Sequence, residues 1–133
     1  MKRTHVALIG MVSLTACATT SGPRSYLTPS EALSRAATLD GTRVTVGGVV
    51  DLGTNSRCLF DSVEAIRVRN GDGSRVLTLS EGDRLLEHRA DLNHRFVIVT
   101  GTFKRVFNEP DVLDLYQCNE AGIEQDFVRR ARR

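Results

Sequence analysis

Tryptophan is absent from this 133-residue chain, and two tyrosines and five phenylalanines bring the aromatic share to only 5%. Proteins that hold single-stranded nucleic acid stack bases on such rings beside a positive groove, so the shortage counts against that class. Histidine is equally sparse. Beyond His5 there are only His88 and His94, six residues apart, a spacing that does not place two imidazoles on successive turns of one helix as a zinc site would. Both are expected at the surface or at helix caps. No glycine-rich loop leads into a helix, so there is no phosphate cradle. The carboxylates of Asp61 and Glu64 have no histidine beside them in sequence, and Ser30-Glu31 and Ser80-Glu81 read as helix starts rather than nucleophiles. This inventory predicts a non-enzyme with no catalytic residue, no metal ligand and no cofactor. Internal repeats are lacking too, and the apolar stretch from Val6 to Leu14 is too short to span a bilayer.

What is present begins with that stretch. Lys2, Arg3 and His5 precede it and small residues follow, the order of a secretory signal. At its end, Leu14-Thr15-Ala16-Cys17 resembles the lipobox of bacterial lipoproteins, in which a Leu and two small residues lead to a Cys that is acylated as the chain is cut just before it. The resemblance implies a leader over 1–16, Cys17 as lipid acceptor, and a membrane partner reached through the acyl chains. Stable anchoring takes more than one chain, which this modification supplies. In the Gram-negative sorting pattern, Ala18 rather than Asp after the Cys points to the outer membrane, facing the periplasm. An ordinary secretory signal with an incidental Cys17, or a buried amphipathic helix, is the competing reading. Ala18 to Ser25 is small, polar and broken by Gly22 and Pro23, so 17–27 is expected to be a flexible tether.

Removing such a leader takes Lys2 and Arg3 from the 18 basic residues and leaves 16 against 16 acidic ones. A neutral mature chain gives no electrostatic reason to bind nucleic acid. Arg129, Arg130, Arg132 and Arg133 still make a positive C-terminal tail, expected to be a solvated, frayed end, with contact to an anionic surface as the alternative. Once Cys17 is acylated, Cys58 and Cys118 remain as an even pair in an oxidising compartment, where a disulfide is the default. Two free or metal-bound thiols are the alternative.

The remaining residues, 28–133, make one domain of ordinary size. Thr28-Pro29-Ser30-Glu31 has the form of a capping box with proline at the first helical position. Ala32, Leu33, Ala36 and Leu39 then share one helical face that Asp40-Gly41 ends. Strands are expected over Thr42–Asp51, Glu64–Arg69, Ser74–Leu79, Arg95–Lys104 and Val112–Cys118, with a hairpin turn at Asn70–Gly73 and a helix over Glu81–Leu92.

Three strands, a helix and two strands is the order of the oligonucleotide/oligosaccharide-binding (OB) barrel. The segments Leu39–Val50 and Arg95–Phe103 resemble the first and fourth strands of small exported bacterial barrels of this type. The expected fold is therefore mainly β, a five-stranded OB-fold-like barrel with an N-terminal helix and a helix between strands 3 and 4. A small open sheet packed by two helices is the alternative. The resemblance would place a binding face on the second and third strands, where Arg67, Arg69 and Arg75 lie near the loop Gly53–Ser62. Alternating arginines also make an ordinary wet strand face. The functional expectation is a lipid-anchored envelope protein acting as a non-catalytic interaction module for another envelope protein or a cell-wall glycan. The alternative is a structural or stress-related envelope lipoprotein without a specific ligand site, and an oligonucleotide-binding role ranks below both.

Overall fold

A computed structural model describes residues 24–53, 56–68, 76–107 and 118–132. The leader, Cys17, Arg69, Arg75, Arg133, the turn expected at Asn70–Gly73 and 112–117 of the expected last strand lie outside the described residues.

The domain starts as its sequence implies. The Glu31 amide donates to Thr28 Oγ1 at 3.1 Å while Glu31 Oε2 accepts from the Thr28 amide at 2.7 Å, so a complete capping box opens α1 (Pro29–Ser34). Arg35 interrupts the helix, and α2 (Ala36–Leu39) carries it on to Gly41, whose φ of 75° makes the turn into the first strand. The structure also includes the end of the expected tether. Leu27 bridges Val46 in parallel, its amide donating to the Thr45 carbonyl at 2.9 Å and its own carbonyl accepting from the Gly47 amide at 2.8 Å.

Five strands follow: β1 (Arg43–Asp51), β2 (Cys58–Phe60), β3 (Val76–Leu79), β4 (Phe96–Lys104) and β5 (Gly122–Arg130). They close into a barrel in the order β1-β2-β3-β5-β4, with β4 pairing back onto β1. Neighbours are antiparallel except β3 and β5, which run parallel. The chain is an OB-fold-like barrel, mainly β, as expected. Strand alternation sends Val44, Val46 and Val50 of β1, Leu59 of β2, Leu77 and Leu79 of β3, Val97, Val99 and Phe103 of β4 and Ile123 of β5 into one core. Ala32 and Leu39 cover it from the N-terminal helices. Between β3 and β4, α4 (Asp83–Glu87) and α5 (Arg89–Leu92) contribute Leu85 and Leu92; the single helix expected over Glu81–Leu92 breaks at His88.

Three expected elements are corrected. The segment expected as the second strand, Glu64–Arg69, contains a helix, α3 (Val63–Arg67). Ser62 caps it by accepting from the Ala65 amide at 3.2 Å, and Glu64 in the first turn and Arg67 in the last complement the helix dipole. The true second strand, β2, lies inside the expected loop Gly53–Ser62. The last strand, β5, runs into the expected frayed end: Arg129 and Arg130 are laddered to Ile98 and Val97, and the Ala131 amide still donates to the Phe96 carbonyl at 3.1 Å.

Candidate functional site

The face on which the OB resemblance would place a ligand is the outer side of β2 and β3. Phe60 and Val76 face outward there beside Cys58, and Ala65 and Ile66 of α3 pack over them together with Cys118. Cys58 and Cys118 form a disulfide with their α-carbons 5.8 Å apart, within the normal bonding range. Cys58 is the first residue of β2, and Cys118 lies in the segment leading to β5. Thr78 ties the same segment down, its hydroxyl accepting from the Cys118 and Asn119 amides, each at 3.0 Å. The expected binding face is therefore roofed by a helix and a covalent bridge. Of its three arginines, Arg67 sits exposed in the last turn of α3, on the roof rather than on the sheet beneath it; Arg69 and Arg75 lie outside the described residues.

The roof presents its own surface. Val68, which caps the end of α3, is 64% exposed beside the exposed Arg67.

The polar groups singled out in the sequence are used as braces. Asp61 accepts from the Ser30 amide at 2.9 Å and from the Ser30 hydroxyl, which locks the start of α1 to the end of β2. His88 is an exposed helix cap. His94 has a φ of 58°, in the left-handed region that a side chain rarely adopts. Its Nε2 lies 3.3 Å from Oδ1 of Asp51, whose side chain is only 8% exposed. Around this pair, Asn93 Oδ1 accepts from the Leu52 amide at 2.8 Å, and the Arg89 guanidinium donates to the Leu52 and Gly53 carbonyls. The network fixes the turn after β1 to α5. Among the described residues, no group of three or more His, Cys, Asp or Glu could hold a metal ion, and no helix is long and apolar enough to cross a membrane.

The opposite wall, β1-β4-β5, has a different outer face. Thr45 and Thr100 share a hydroxyl contact of 3.2 Å, and Phe127 of β5, paired with Thr100, is 45% exposed. Tyr26 lies over Gly47 and against the Phe96 ring, with centroids 5.8 Å apart. Neither Phe127 nor the Tyr26 contact was legible in the sequence: the first sits in the presumed tail and the second in the presumed tether. No protein-family model, curated protein or solved structure matches the chain.

Proposed function

We propose that the chain is a bacterial lipoprotein, held in the cell envelope through acylated Cys17, whose barrel is a non-catalytic interaction module. Its membrane is the outer membrane, with the barrel facing the periplasm, and its partner is another envelope protein or a cell-wall glycan. The lipobox-like Leu14-Thr15-Ala16-Cys17 supports the anchor. The observation that carries the binding role is the exposed Val68 beside Arg67 at the end of α3, the helix that covers the β2–β3 face.

Two measurements test the two halves. Cys17→Ser should leave uncleaved precursor and abolish fatty-acid labelling; labelling of that variant would reject the anchor. Crosslinking of intact envelopes should capture one stoichiometric partner that is lost in Arg67→Glu/Val68→Ser, and an unchanged crosslink pattern would reject α3 as the docking surface. The roofing of β2–β3 by Ala65, Ile66 and the disulfide favours the second reading, a structural envelope lipoprotein without a ligand site. That reading gains if no partner is captured at all.

A further inference from the structure

At one corner of the barrel, Arg95 stands just before β4 and Arg129, Arg130 and Arg132 stand at the end of β5, all four exposed. The register brings them together. Ile98 pairs with Arg129 and Val97 with Arg130, and the Ala131-to-Phe96 hydrogen bond puts Arg132 opposite Arg95, just beyond the last rung. None of the four has an ion-pair partner among the described residues. Further along the same strands the charges are matched: Lys104 lies 3.7 Å from Glu124, and Asp126 pairs with Arg43. Arg129 lies on the outer face and Arg130 on the side of core-facing Val97 at the barrel's rim, while Arg95 and Arg132 stand opposite one another, where like charges repel; an anion at this rim relieves that repulsion.

Its place in the fold identifies the anion. Gly47, which Tyr26 covers, pairs with Ile98, and Ile98 pairs with Arg129. The backbone, however, leaves the barrel toward Cys17 at Leu27, which pairs with Val46 on the edge of β1 away from β4, about 14 Å or three strand spacings from β5. The nine residue steps from Cys17 to Tyr26 reach at most about 30 Å. We propose that the arginine corner is a second membrane contact, which rests on the phosphate-bearing headgroups of the bilayer that holds the acyl chains; this inference builds on the lipid anchor proposed above. Guanidinium groups bind phosphate oxygens in pairs, and each basic residue near an anionic bilayer strengthens association about five-fold. Because β2, the strand against which α3 packs, lies across the barrel from the β4–β5 pair, the contact turns α3 away from the membrane and toward a periplasmic partner.

The lack of tryptophan makes the test simple. Phe127→Trp places a single indole, excited selectively at the red edge beyond tyrosine absorption, on the outer face of β5 near Arg129. The full-length protein, isolated from envelopes with its anchor, is reconstituted on vesicles of phosphatidylcholine alone or mixed with phosphatidylglycerol, both carrying a dansyl-labelled lipid. Energy transfer from the introduced indole should be higher on the anionic vesicles and should fall to the neutral level in about 1 M salt, where the screening length is about 3 Å. Adding Arg129→Gln/Arg130→Gln/Arg132→Gln should cut the docked population about a hundred-fold and abolish the difference. Arg43→Gln, whose partner is Asp126, should preserve it. Equal transfer on the two vesicles, or an undiminished difference in the triple variant, would overturn the proposal. Flotation with neutral vesicles reports the anchor separately. A protein that fails to float there lacks the anchor, and the fraction bound to anionic over neutral vesicles then decides the arginine corner by itself.

Discussion

The two walls of the barrel are built by different means. β1, β4 and β5 are nine residues each and are laddered over most of their length. β2 and β3 have only three and four residues and share three paired positions. The long wall is held by backbone hydrogen bonds at close strand approach. The short wall substitutes a helix packed across its outer face and a disulfide that ties it to the segment before β5. A closed barrel needs every strand paired, yet it tolerates very unequal pairing when side-chain cover and a covalent link make up the shortfall.

The sharpest way to break that contrast is to push apart two strands of the long wall. A Cβ at Gly101 would run into the Glu124 carbonyl and come within 2.6 Å of the Gln125 α-carbon, both backbone atoms that cannot rotate away. Gly101→Val should cost more than about 4 kcal/mol and leave no cooperative unfolding transition by circular dichroism. Gly41→Ala is the control: nothing lies within 4 Å of the added carbon, and only its φ of 75° opposes the change, for a loss of about 1 kcal/mol.

The short wall should respond next. Replacing Cys58 and Cys118 together by Ala opens a loop of 60 residues and should lower stability by roughly 2–4 kcal/mol, read as a lower urea midpoint than that of the disulfide-bonded parent in the absence of reductant. A midpoint equal to that of the parent would mean that α3 alone sustains this wall. A smaller effect tests the N-terminal helix, which abuts both walls. Thr28→Ala removes the acceptor for the Glu31 amide and should cost about 1 kcal/mol in thermal unfolding.

The smallest effect is the pH dependence of the same cap. The Thr28 amide, which donates to its carboxylate, holds Glu31 below the ordinary carboxylate value, with Arg24 adding to the shift. A carboxyl whose folded pKa is depressed contributes stability that is fully present above its unfolded value near 4.5 and is lost as pH falls through the folded value. Glu31→Gln should therefore lower stability slightly at neutral pH, converge with the parent in acid, and so flatten the acid limb of the stability curve below about pH 4.5; an unaltered acid limb would show that the carboxylate is not linked to folding.

Legibility in the sequence follows the same division. β1 and β4 are β-branched and long, and the capping box of α1 announces itself, so these elements were readable with near-correct bounds. β5 was hidden by its own irregularity. The register with β4 shifts between Thr100 and Gly101, leaving Asp126 as the extra residue of a bulge. Ile123 and Val128 therefore both turn to the core although five residues apart, and no simple alternation survives to mark a strand. α3 misled in the opposite way. Ile66 and Val68 alternate with arginines as in a half-buried strand, yet only Ile66 packs inward and Val68 is solvent-facing; the Ser62 cap, with Glu64 early and Arg67 late, was the helix signal beneath. β2 is simply too short to carry a period. At the candidate sites, chemistry alone gave the pairing of Cys58 with Cys118, whereas the arginine corner exists only through the β4–β5 register and could not be seen before strands were paired.

The seam between β1 and β4 also governs how this protein folds in time. Its rungs join positions as distant as Val44 and Gly101, and the parallel rungs of β3 with β5 join Thr78 to Gly122. The pairs closest in sequence, β1–β2 and β2–β3, are the sparsely laddered ones. Local contacts therefore offer little early reward, and the loop entropy of the distant pairings must be met before they begin to stabilise anything. Closure is then a late, cooperative event on a timescale of about milliseconds to seconds, and a chain truncated before β5 would lose the β3–β5 seam, one of the two that join the walls.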